Sequence, residues 1–262
     1  MKNLSSLTIV KTIRPALVQG ATILAFIILW ELLGRTQWVF KGLMPAFLEI
    51  LRSAWTQMVT GSILPHLLVT LYEAGVGFAV AVATGLTIGF LLGTNRFLRE
   101  TFQPPILYFA ATPKIILYPL FLMLLGARLE SKMAMSAVSA FFPIVINTSI
   151  GVMAVNRTYI KVAKSVGASR LQVCFRVYFP SMLLPVVAGF RLGIGVALVG
   201  AILGELKVSN AGLGFAIISA FNHFRMSEMY GAILLTFALA GVINLLMTLT
   251  LTRLRRFASL PA

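Results

Sequence analysis

The residue types that most often carry out chemistry in proteins are few in this sequence and widely separated. It contains two histidines, His66 and His223, one cysteine, Cys174, and seven acidic residues, all of them glutamates. A hydrolytic or metal-dependent centre needs several such groups converging on one point, and neither histidine has a second ligand at metal-binding spacing. The sequence therefore predicts no metal site and no catalytic residues, and a single cysteine excludes an internal disulfide.

A short basic segment has the composition of a binding surface instead. The segment AKSVGASRLQVCFRVYFP, residues 163–180, places three basic side chains between two long apolar stretches. From Tyr159 to Val166, apolar side chains recur at i, i+3, i+4 and i+7, which indicates an amphipathic helix. Gly167 is suited to end that helix with a positive φ, and Ser169 to cap a second one. We therefore expect an ordered helix–turn–helix, which either docks a partner or covers one face of the protein.

The rest of the chain is too apolar for a soluble protein. Of its 262 residues, 59% are hydrophobic and 11% are charged, and the mean hydropathy is +0.94. Because soluble domains carry about 25% charged residues, the lipid bilayer is the predicted solvent. The formal net charge is +15. Since the basic residues fall mainly at the ends of apolar segments, where they set membrane topology, nucleic-acid binding is the weaker explanation.

Six apolar segments approach the length of about 20 residues that a helix needs to cross a bilayer. The third is interrupted by Lys114 and the fifth by Arg191. The first has Trp30 and Glu31 where a cleaved signal peptide would have small residues. The predicted fold class is an all-α integral membrane protein with six transmembrane helices, near residues 15–34, 68–93, 106–126, 133–154, 181–204 and 230–251.

The distribution of basic residues also predicts the orientation. If the N-terminus is cytoplasmic, the cytoplasmic side holds about twice as many Lys and Arg residues as the outer side. Both termini and the segment 155–180 are therefore expected in the cytoplasm.

The outer loop after the first span contains a second amphipathic pattern. In PAFLEILRSAWTQM, residues 45–58, apolar side chains fall on one side of a helix and polar ones on the other. Trp55 on the apolar side suits the lipid headgroup boundary, while a helix packed over the bundle explains the pattern equally well. Residues 1–64 are predicted to form an N-terminal anchor with a periplasmic amphipathic helix, and residues 65–252 the core.

The spacing within the basic segment resembles the EAA motif of permease subunits in binding-protein-dependent type I ABC importers. That motif reads Glu-Ala-Ala, three residues, Gly, nine residues, a β-branched residue, one residue, Leu and Pro. The acidic residue is replaced here by Lys161 and the first alanine by Val162, so the charge at the head of the motif differs. The matching positions are Lys161, Val162, Ala163, Gly167, Val177, Phe179 and Pro180.

Three further segments are similar to the same family, and the similarity extends over residues 43–252. TPKIILYPLFLMLLGA resembles its third span, LPVVAGFRLGIGVALVGAILGE the span after the motif, and NAGLGFAIISAF the periplasmic helix that follows. The sequence looks closest to the aliphatic sulfonate, taurine and nitrate permeases. It departs from them at Glu73, where the family commonly has a basic residue.

The resemblance implies a type I ABC importer permease fold with a cytoplasmic coupling helix, in a multi-pass protein of the bacterial inner membrane. It implies a homodimer with two ABC ATPase subunits and a periplasmic or lipid-anchored solute-binding protein. ATP and Mg would be bound by the ATPase, leaving no cofactor in this chain. The coupling segment that would dock on the ATPase consists of Lys161, Val162, Ala163, Lys164, Ser165, Gly167, Ala168 and Ser169.

Polar residues inside the spans are candidates for the translocation path, because buried charges are costly in a membrane. Arg191 is expected either to attract an anion or to pair with a glutamate of another helix. Lys114 can reach the interface along its own side chain, and Asn147 is expected to bond between helices. Glu205 is expected to anchor the periplasmic loop. The candidates for the path are Arg191, Glu73, Lys114 and Asn147.

Several alternatives stay open at this stage. The row Gly85-x-x-x-Gly89-x-x-x-Gly93 allows close helix packing, either within the chain or between two copies. An ion-coupled secondary transporter and a polytopic membrane enzyme are rival functions. The first is disfavoured by the absence of a visible internal repeat, and the second by the missing catalytic groups. The solute is expected to be a small organic or inorganic anion or a small heterocycle.

Overall fold

A computed structural model describes the backbone of residues 4–36 and 42–258, and side chains within 17–36 and 42–253. Throughout those ranges the regular structure is helical, so the predicted all-α fold is confirmed. The ends of the chain and residues 37–41, which belong to the predicted anchor and to the predicted cytoplasmic termini, lie outside the described residues.

The α-helices of this part of the chain follow one another with short connections. A 3₁₀ turn, Lys114–Leu117, joins α4 to α5, and a π turn, Cys174–Tyr178, joins α8 to α9. The helices are α1 Leu4–Thr36, α2 Phe47–Val59, α3 Leu64–Thr94, α4 Arg96–Ala111, α5 Tyr118–Leu125, α6 Leu129–Met153, α7 Arg157–Ser165, α8 Arg170–Val173, α9 Phe179–Lys207, α10 Leu213–Asn222 and α11 Met226–Ala258.

The helices account for the six predicted crossings. Five segments are long and apolar enough to cross a bilayer, and α4 with α5 pass the same test as a pair bent by 95°. Counted as one crossing, the pair brings the total in the described residues to six. The five continuous segments are Leu17–Thr36, Leu64–Thr94, Leu129–Met153, Arg170–Lys207 and Met226–Arg253.

The bent crossing differs from the continuous span predicted for residues 106–126. Its first helix begins earlier, at Arg96, and ends at Ala111. Thr112 then has an extended backbone, with φ −73° and ψ 139°, because a residue before proline is driven out of the helical region. Pro113 itself has no N–H to continue the helical hydrogen bonds. The dipeptide Thr112-Pro113 therefore breaks the span in two.

Residues 63–216 and 236–262 form one compact unit, in which α6 packs against both α3 and α9. A Cβ added to Gly89 of α3 would lie 2.6 Å from Thr148 Cβ of α6. A Cβ added to Gly200 of α9 would lie 2.9 Å from the carbonyl oxygen of Met135. Small residues at these positions let the helix backbones approach closely. Of the two explanations for the glycine row on α3, packing within the chain is the one observed.

Residues 1–62 and 217–235 form a second compact unit. Here α2 buries Ile50 and Ala54, while Trp55 is 69% exposed. Gln57 Nε2 donates a hydrogen bond to the carbonyl oxygen of Glu228 over 3.1 Å. The predicted amphipathic helix is confirmed. Its buried side packs within this unit, and Trp55 remains available for the headgroup boundary.

The boundary between the units at residues 62 and 63 lies next to the predicted division at residue 64. The unit that contains α1 and α2 also includes residues 217–235, from much later in the chain. The division into an N-terminal anchor and a permease core therefore stays a prediction.

Candidate functional site

The predicted helix–turn–helix is present between α6 and α9. Its first helix, α7, begins after Asn156, whose Oδ1 accepts a hydrogen bond from Thr158 N over 2.9 Å. The helix ends where Gly167 adopts a φ of +78°, and Ala168 N donates to the carbonyl oxygen of Ala163 over 3.0 Å. A glycine in the left-handed region closing such a bond is a standard helix end, so the predicted role of Gly167 is confirmed.

The second helix of the hairpin starts at the predicted cap. Ser169 Oγ accepts a hydrogen bond from Gln172 N over 3.3 Å, and Gln172 Oε1 accepts one from Ser169 N over 2.8 Å. These reciprocal bonds form a capping box. From Arg170 the helical segment continues to Lys207 through the π turn, so Pro180 opens the next crossing instead of ending the hairpin.

The apolar stripe of the hairpin is not buried against the rest of the chain that the structure describes. Val162 is 56% exposed and Val166 is 78% exposed. Both lysines of the coupling segment, Lys161 and Lys164, are exposed beside this stripe. Exposed apolar patches beside polar residues are typical of interaction sites, and a hairpin that only covered its own protein would have buried this stripe. The other strongly exposed apolar residues of the hairpin are Tyr159, Leu171 and Phe175.

The base of the hairpin is fixed to the membrane core. Val173 is buried, and Tyr178 makes an edge-to-face contact with Phe90 of α3 at a centroid distance of 5.5 Å. Tyr178 also packs on the buried cluster that joins Val152 of α6 to Met182 of α9. A displacement of the hairpin would therefore act directly on α3, α6 and α9.

Lys114 lies at the break between α4 and α5. Its ammonium group donates hydrogen bonds to the carbonyl oxygens of Ala110 and Thr112, which the break leaves without helical partners. It also lies over the ring of Phe142 on α6, 5.1 Å from the centroid. The side chain thus has a structural role at the end of α4, where a cation is favourable to the helix dipole.

Arg191 does not pair with a glutamate in the part of the chain that the structure describes. Its Nε donates a hydrogen bond to Asn244 Oδ1 of α11 over 2.9 Å. The predicted pairing with a glutamate is therefore not the contact that the described residues make, and a cation in mid-span is left with an amide as its partner. The expectation that Arg191 attracts an anion stays a prediction.

The side chain of Asn147 bonds within its own helix. Its Nδ2 donates to the carbonyl oxygen of Pro143 over 2.8 Å, so the expected bond between helices is not the one observed. Its Cβ also lies opposite Gly189 of α9, where an added Cβ would come within 2.8 Å. Asn147 therefore occupies the packed contact between α6 and α9.

A buried polar cluster joins α3 and α9 at the end of the core predicted to face outward. Thr70 Oγ1 donates to Glu205 Oε1 over 2.7 Å, and Glu205 Oε2 accepts a bond from Gly214 N over 2.7 Å. Thr70 Oγ1 also accepts a bond from Leu213 N over 2.8 Å. These contacts hold the loop before α10, so the predicted anchoring role of Glu205 is confirmed.

Glu73 belongs to the same part of the core. Its side chain is fully buried beside the carboxyl group of Glu205. Glu205 and Lys132 are the charged groups that act on it electrostatically. Lys132 is 2% exposed and donates to the carbonyl oxygens of Ala127 and Arg128.

The four residues predicted for the translocation path are therefore not brought together. Lys114 lies at the helix break and Arg191 bonds to α11. Asn147 lies in the packing contact between α6 and α9, and Glu73 lies in the buried polar cluster. Thr70, Lys132 and His66 were not among the predicted site residues. Nδ1 of His66 accepts a hydrogen bond from Gly212 N over 3.2 Å. These three residues could have been found from the sequence as polar residues predicted to lie at the same depth in the membrane as Glu73 and Glu205.

Comparisons with known proteins cover most of the chain. Residues 85–259 match the family described as "Binding-protein-dependent transport system inner membrane component". A permease named for aliphatic sulfonates transport in Bacillus subtilis (strain 168) is 28% identical over 225 residues, covering 86% of this chain and 81% of that protein. A nitrate import permease of Synechocystis sp. is 28% identical over 178 residues, covering 68% and 63% of the two chains.

A formylaminopyrimidine transport permease of Halalkalibacterium halodurans is 31% identical over 150 residues, covering 57% of this chain and 60% of that protein. Among solved structures, the MetNI methionine ABC transporter in an inward-facing conformation superimposes with a TM-score of 0.65, over 73% of this chain and 95% of that chain. The sequences of that pair are 18% identical, so the likeness concerns the fold.

Proposed function

Because the chain belongs to the family of binding-protein-dependent transport system inner membrane components, and is thus the permease subunit of a type I ABC importer, we propose that it forms the solute path and is driven by a separate ATPase subunit. The resemblance found in the sequence is confirmed, including its branch, since permeases named for sulfonates and nitrate are among the relatives. The chain is a multi-pass protein of a bacterial inner-membrane transport system, and its relatives are transport proteins, not enzymes.

The exposed hairpin is the observation that carries the proposal. Val162 and Val166 present an ordered apolar surface with Lys161 and Lys164 beside it. An ATPase subunit with an apolar groove and an acidic rim complements that surface. We assign docking to the coupling segment, which consists of Lys161, Val162, Ala163, Lys164, Ser165, Gly167, Ala168 and Ser169.

Docking at this place explains how nucleotide can drive transport. ATP and Mg bind the partner, not this chain, and ATP favours the closed arrangement of two ATPase subunits. The attached hairpins move together, and the crossings switch from inward-facing to outward-facing as rigid bodies. The contact of Tyr178 with Phe90 transfers the movement to α3.

The complete importer needs further chains. We propose a homodimer of this permease, two ATPase subunits and a periplasmic or lipid-anchored solute-binding protein, embedded in membrane lipid with the termini of the permease in the cytoplasm. The solute-binding protein selects the solute. A small anion is favoured by the relatives named for sulfonates and nitrate, and a small heterocycle by the relative named for formylaminopyrimidine.

A matched pair of substitutions tests the coupling role. Gly167→Arg places a long side chain at the turn of the hairpin, and Gly61→Arg places the same side chain in the loop between α2 and α3. Both glycines have positive φ, +78° and +72°, and a Cβ at either site meets nothing within 4 Å. The two variants therefore carry equal backbone strain.

We expect Gly167→Arg to abolish solute uptake and co-purification of the ATPase, while Gly61→Arg retains both. Both proteins should insert into the membrane in similar amounts, because neither substitution collides with the described structure. Normal uptake and normal ATPase recovery with Gly167→Arg would overturn the proposal. Uptake that persists in ATP-depleted vesicles under an ion gradient would favour a secondary transporter instead.

A further inference from the structure

The break between α4 and α5 opens onto a cleft that the comparisons do not describe. The cleft has a volume of about 520 Å³ and is bounded by the break, α6 and α9. A volume of this size suits a small-molecule site. Most of its lining is apolar, with Phe142 and Pro143 on α6 and Leu192, Val196 and Val199 on α9.

The polar side chains of the cleft are few. Lys114 and Thr112 lie at the break, and Ser139 lies on α6. The lining contains Lys114 as its charged residue and no carboxylate. The described salt bridges lie elsewhere, at Glu31, Glu100, Glu130 and Glu228. The positive charge of Lys114 is therefore not balanced by an acidic side chain in the part of the chain that the structure describes.

The hydrogen bonds of Lys114 leave room for a ligand. An ammonium group has three N–H donors, and two of them reach the carbonyl oxygens of Ala110 and Thr112. The group also lies against the ring of Phe142, which faces the cleft. These contacts hold the ammonium in place but carry no full negative charge. A cation inside a membrane span is stabilised by an anion that enters beside it.

The other charged groups of the core do not face this cleft. Arg191 bonds to Asn244 of α11, and Glu73 is enclosed with Glu205 and Lys132. None of these four charged residues is among those that line the cleft. Lys114 is therefore the main source of charge acting on a solute in the cleft.

We propose that this cleft is a transient subsite for an amphipathic organic anion, such as a short alkanesulfonate or carboxylate, with its charged group at Lys114 and its apolar body along Phe142, Val196 and Val199. The inference rests on the proposed permease function and narrows its solute class. An inorganic anion would leave the apolar walls unfilled, and an uncharged heterocycle would leave the ammonium group without a counter-charge.

Thiol labelling measures the charge and the water access of the cleft directly. The variant Cys174→Ala removes the native cysteine, and Val196→Cys then adds one inside the cleft. The full-length permease in nanodiscs is treated with sulfonatoethyl methanethiosulfonate, itself a small alkanesulfonate, and with the cationic trimethylammonium analogue. The ratio of the two reaction rates reports the local potential. This ratio is compared between the protein with Lys114 intact and the variants Lys114→Met and Lys114→Arg.

We expect Lys114→Met to lower the ratio of anionic to cationic labelling about tenfold or more, because one unit charge near the thiol is removed. Lys114→Arg should retain the ratio within about twofold, because it retains the charge. Butanesulfonate in excess should slow labelling by a neutral reagent. As a control for folding and locality, a cysteine replacing Ser165 in the hairpin should label equally in all three backgrounds.

Two outcomes overturn the inference. If neither charged reagent reacts at position 196 while position 165 reacts normally, the cleft is closed to water and is occupied by lipid or by a second copy. If the ratio is the same with Lys114→Met, the ammonium does not set the potential of the cleft. Both outcomes leave the comparison of Gly167→Arg with Gly61→Arg unaffected, so failure of the subsite is distinguishable from failure of the permease assignment.

Discussion

Thr70 and Glu205 are joined by a buried hydrogen bond of 2.7 Å that links α3 to α9. The same hydroxyl of Thr70 accepts the backbone N–H of Leu213, and the same carboxylate accepts that of Gly214. Two side chains from distant parts of the sequence thus satisfy the first N–H groups of α10. The loop before α10 is held in place by these polar contacts.

Replacement of Thr70 by valine should destabilise the core. Valine has nearly the same shape but leaves one oxygen of Glu205 and the N–H of Leu213 without partners, which costs about 1–3 kcal/mol for each buried group left unsatisfied. We expect a lower apparent midpoint of thermal unfolding for Thr70→Val in detergent and near-normal behaviour for Thr70→Ser. The control is Thr87→Val on the same helix, because Thr87 is exposed and bonds only to the carbonyl oxygen of Ala83 in the described structure.

Equal midpoints for Thr70→Val and Thr87→Val would contradict the anchoring role of the cluster.

Two glycines of α3 should respond with opposite signs to the same substitution. Gly89→Ala brings a methyl group to 2.6 Å from Thr148 Cβ and 2.7 Å from the carbonyl oxygen of Val145, so the helices must separate, at a cost of about 1–3 kcal/mol. A Cβ at Gly75 meets nothing within 4 Å. Gly75→Ala should therefore gain about 0.5–1 kcal/mol of helix stability. Unfolding midpoints of the two variants give the measurement.

If both substitutions shift the midpoint in the same direction, close packing of α3 on α6 is not the reason for the glycine at position 89.

The charge at the head of the coupling segment should decide how strongly the ATPase binds. A cation, Lys161, stands where the EAA motif has an acidic residue, so the partner is expected to present an acidic group there. Lys161→Glu should lower the amount of co-purified ATPase several-fold, and rising salt should narrow the difference from wild type because charge interactions are screened. Lys207→Glu, an exposed change at the other end of α9, serves as the control. If the amount of co-purified ATPase is unchanged with Lys161→Glu, the ATPase does not interact with the charge at this position.

The orientation in the membrane can be tested with single cysteines. In the Cys174→Ala background, Ser165→Cys should react with a membrane-impermeant maleimide in inverted vesicles and not in intact cells. A cysteine replacing Ser62, in the loop before α3, should show the reverse pattern. Labelling of position 165 from outside would place the hairpin on the wrong side for an ATPase and would refute the coupling proposal.

Features that depend on neighbouring residues could be predicted from the sequence. Gly167 and Ser169 have the expected backbone roles because helix ends are determined by side chains within about four residues. The crossings were found from hydropathy, since each helix must satisfy its own backbone in lipid. The anchoring of the outer loop by Glu205 was also expected, since Gly214 lies only nine residues further on, but its distant partner Thr70 was not.

Contacts between distant helices could not be predicted in the same way. The partner of Arg191 is Asn244 and not a glutamate, and Asn147 bonds to Pro143 within α6. Such pairs depend on the rotation and crossing angle of each helix, and hydropathy constrains neither. The break in the third crossing had a local signal, Thr112-Pro113, but prolines are tolerated within α4 itself at Pro104 and Pro105, so proline alone does not locate a break.

The helical segment Arg170–Lys207 has a mechanical consequence. At 1.5 Å per residue its 38 residues reach roughly 57 Å, which exceeds the thickness of the hydrocarbon layer. One end of the segment carries the hairpin, and the other carries Glu205, which is hydrogen-bonded to the loop before α10. When the hairpin end of this segment is displaced, the segment can bend at the π turn or at Pro185. If it does not bend there, the whole helix tilts, and the loop before α10 moves together with the hairpin.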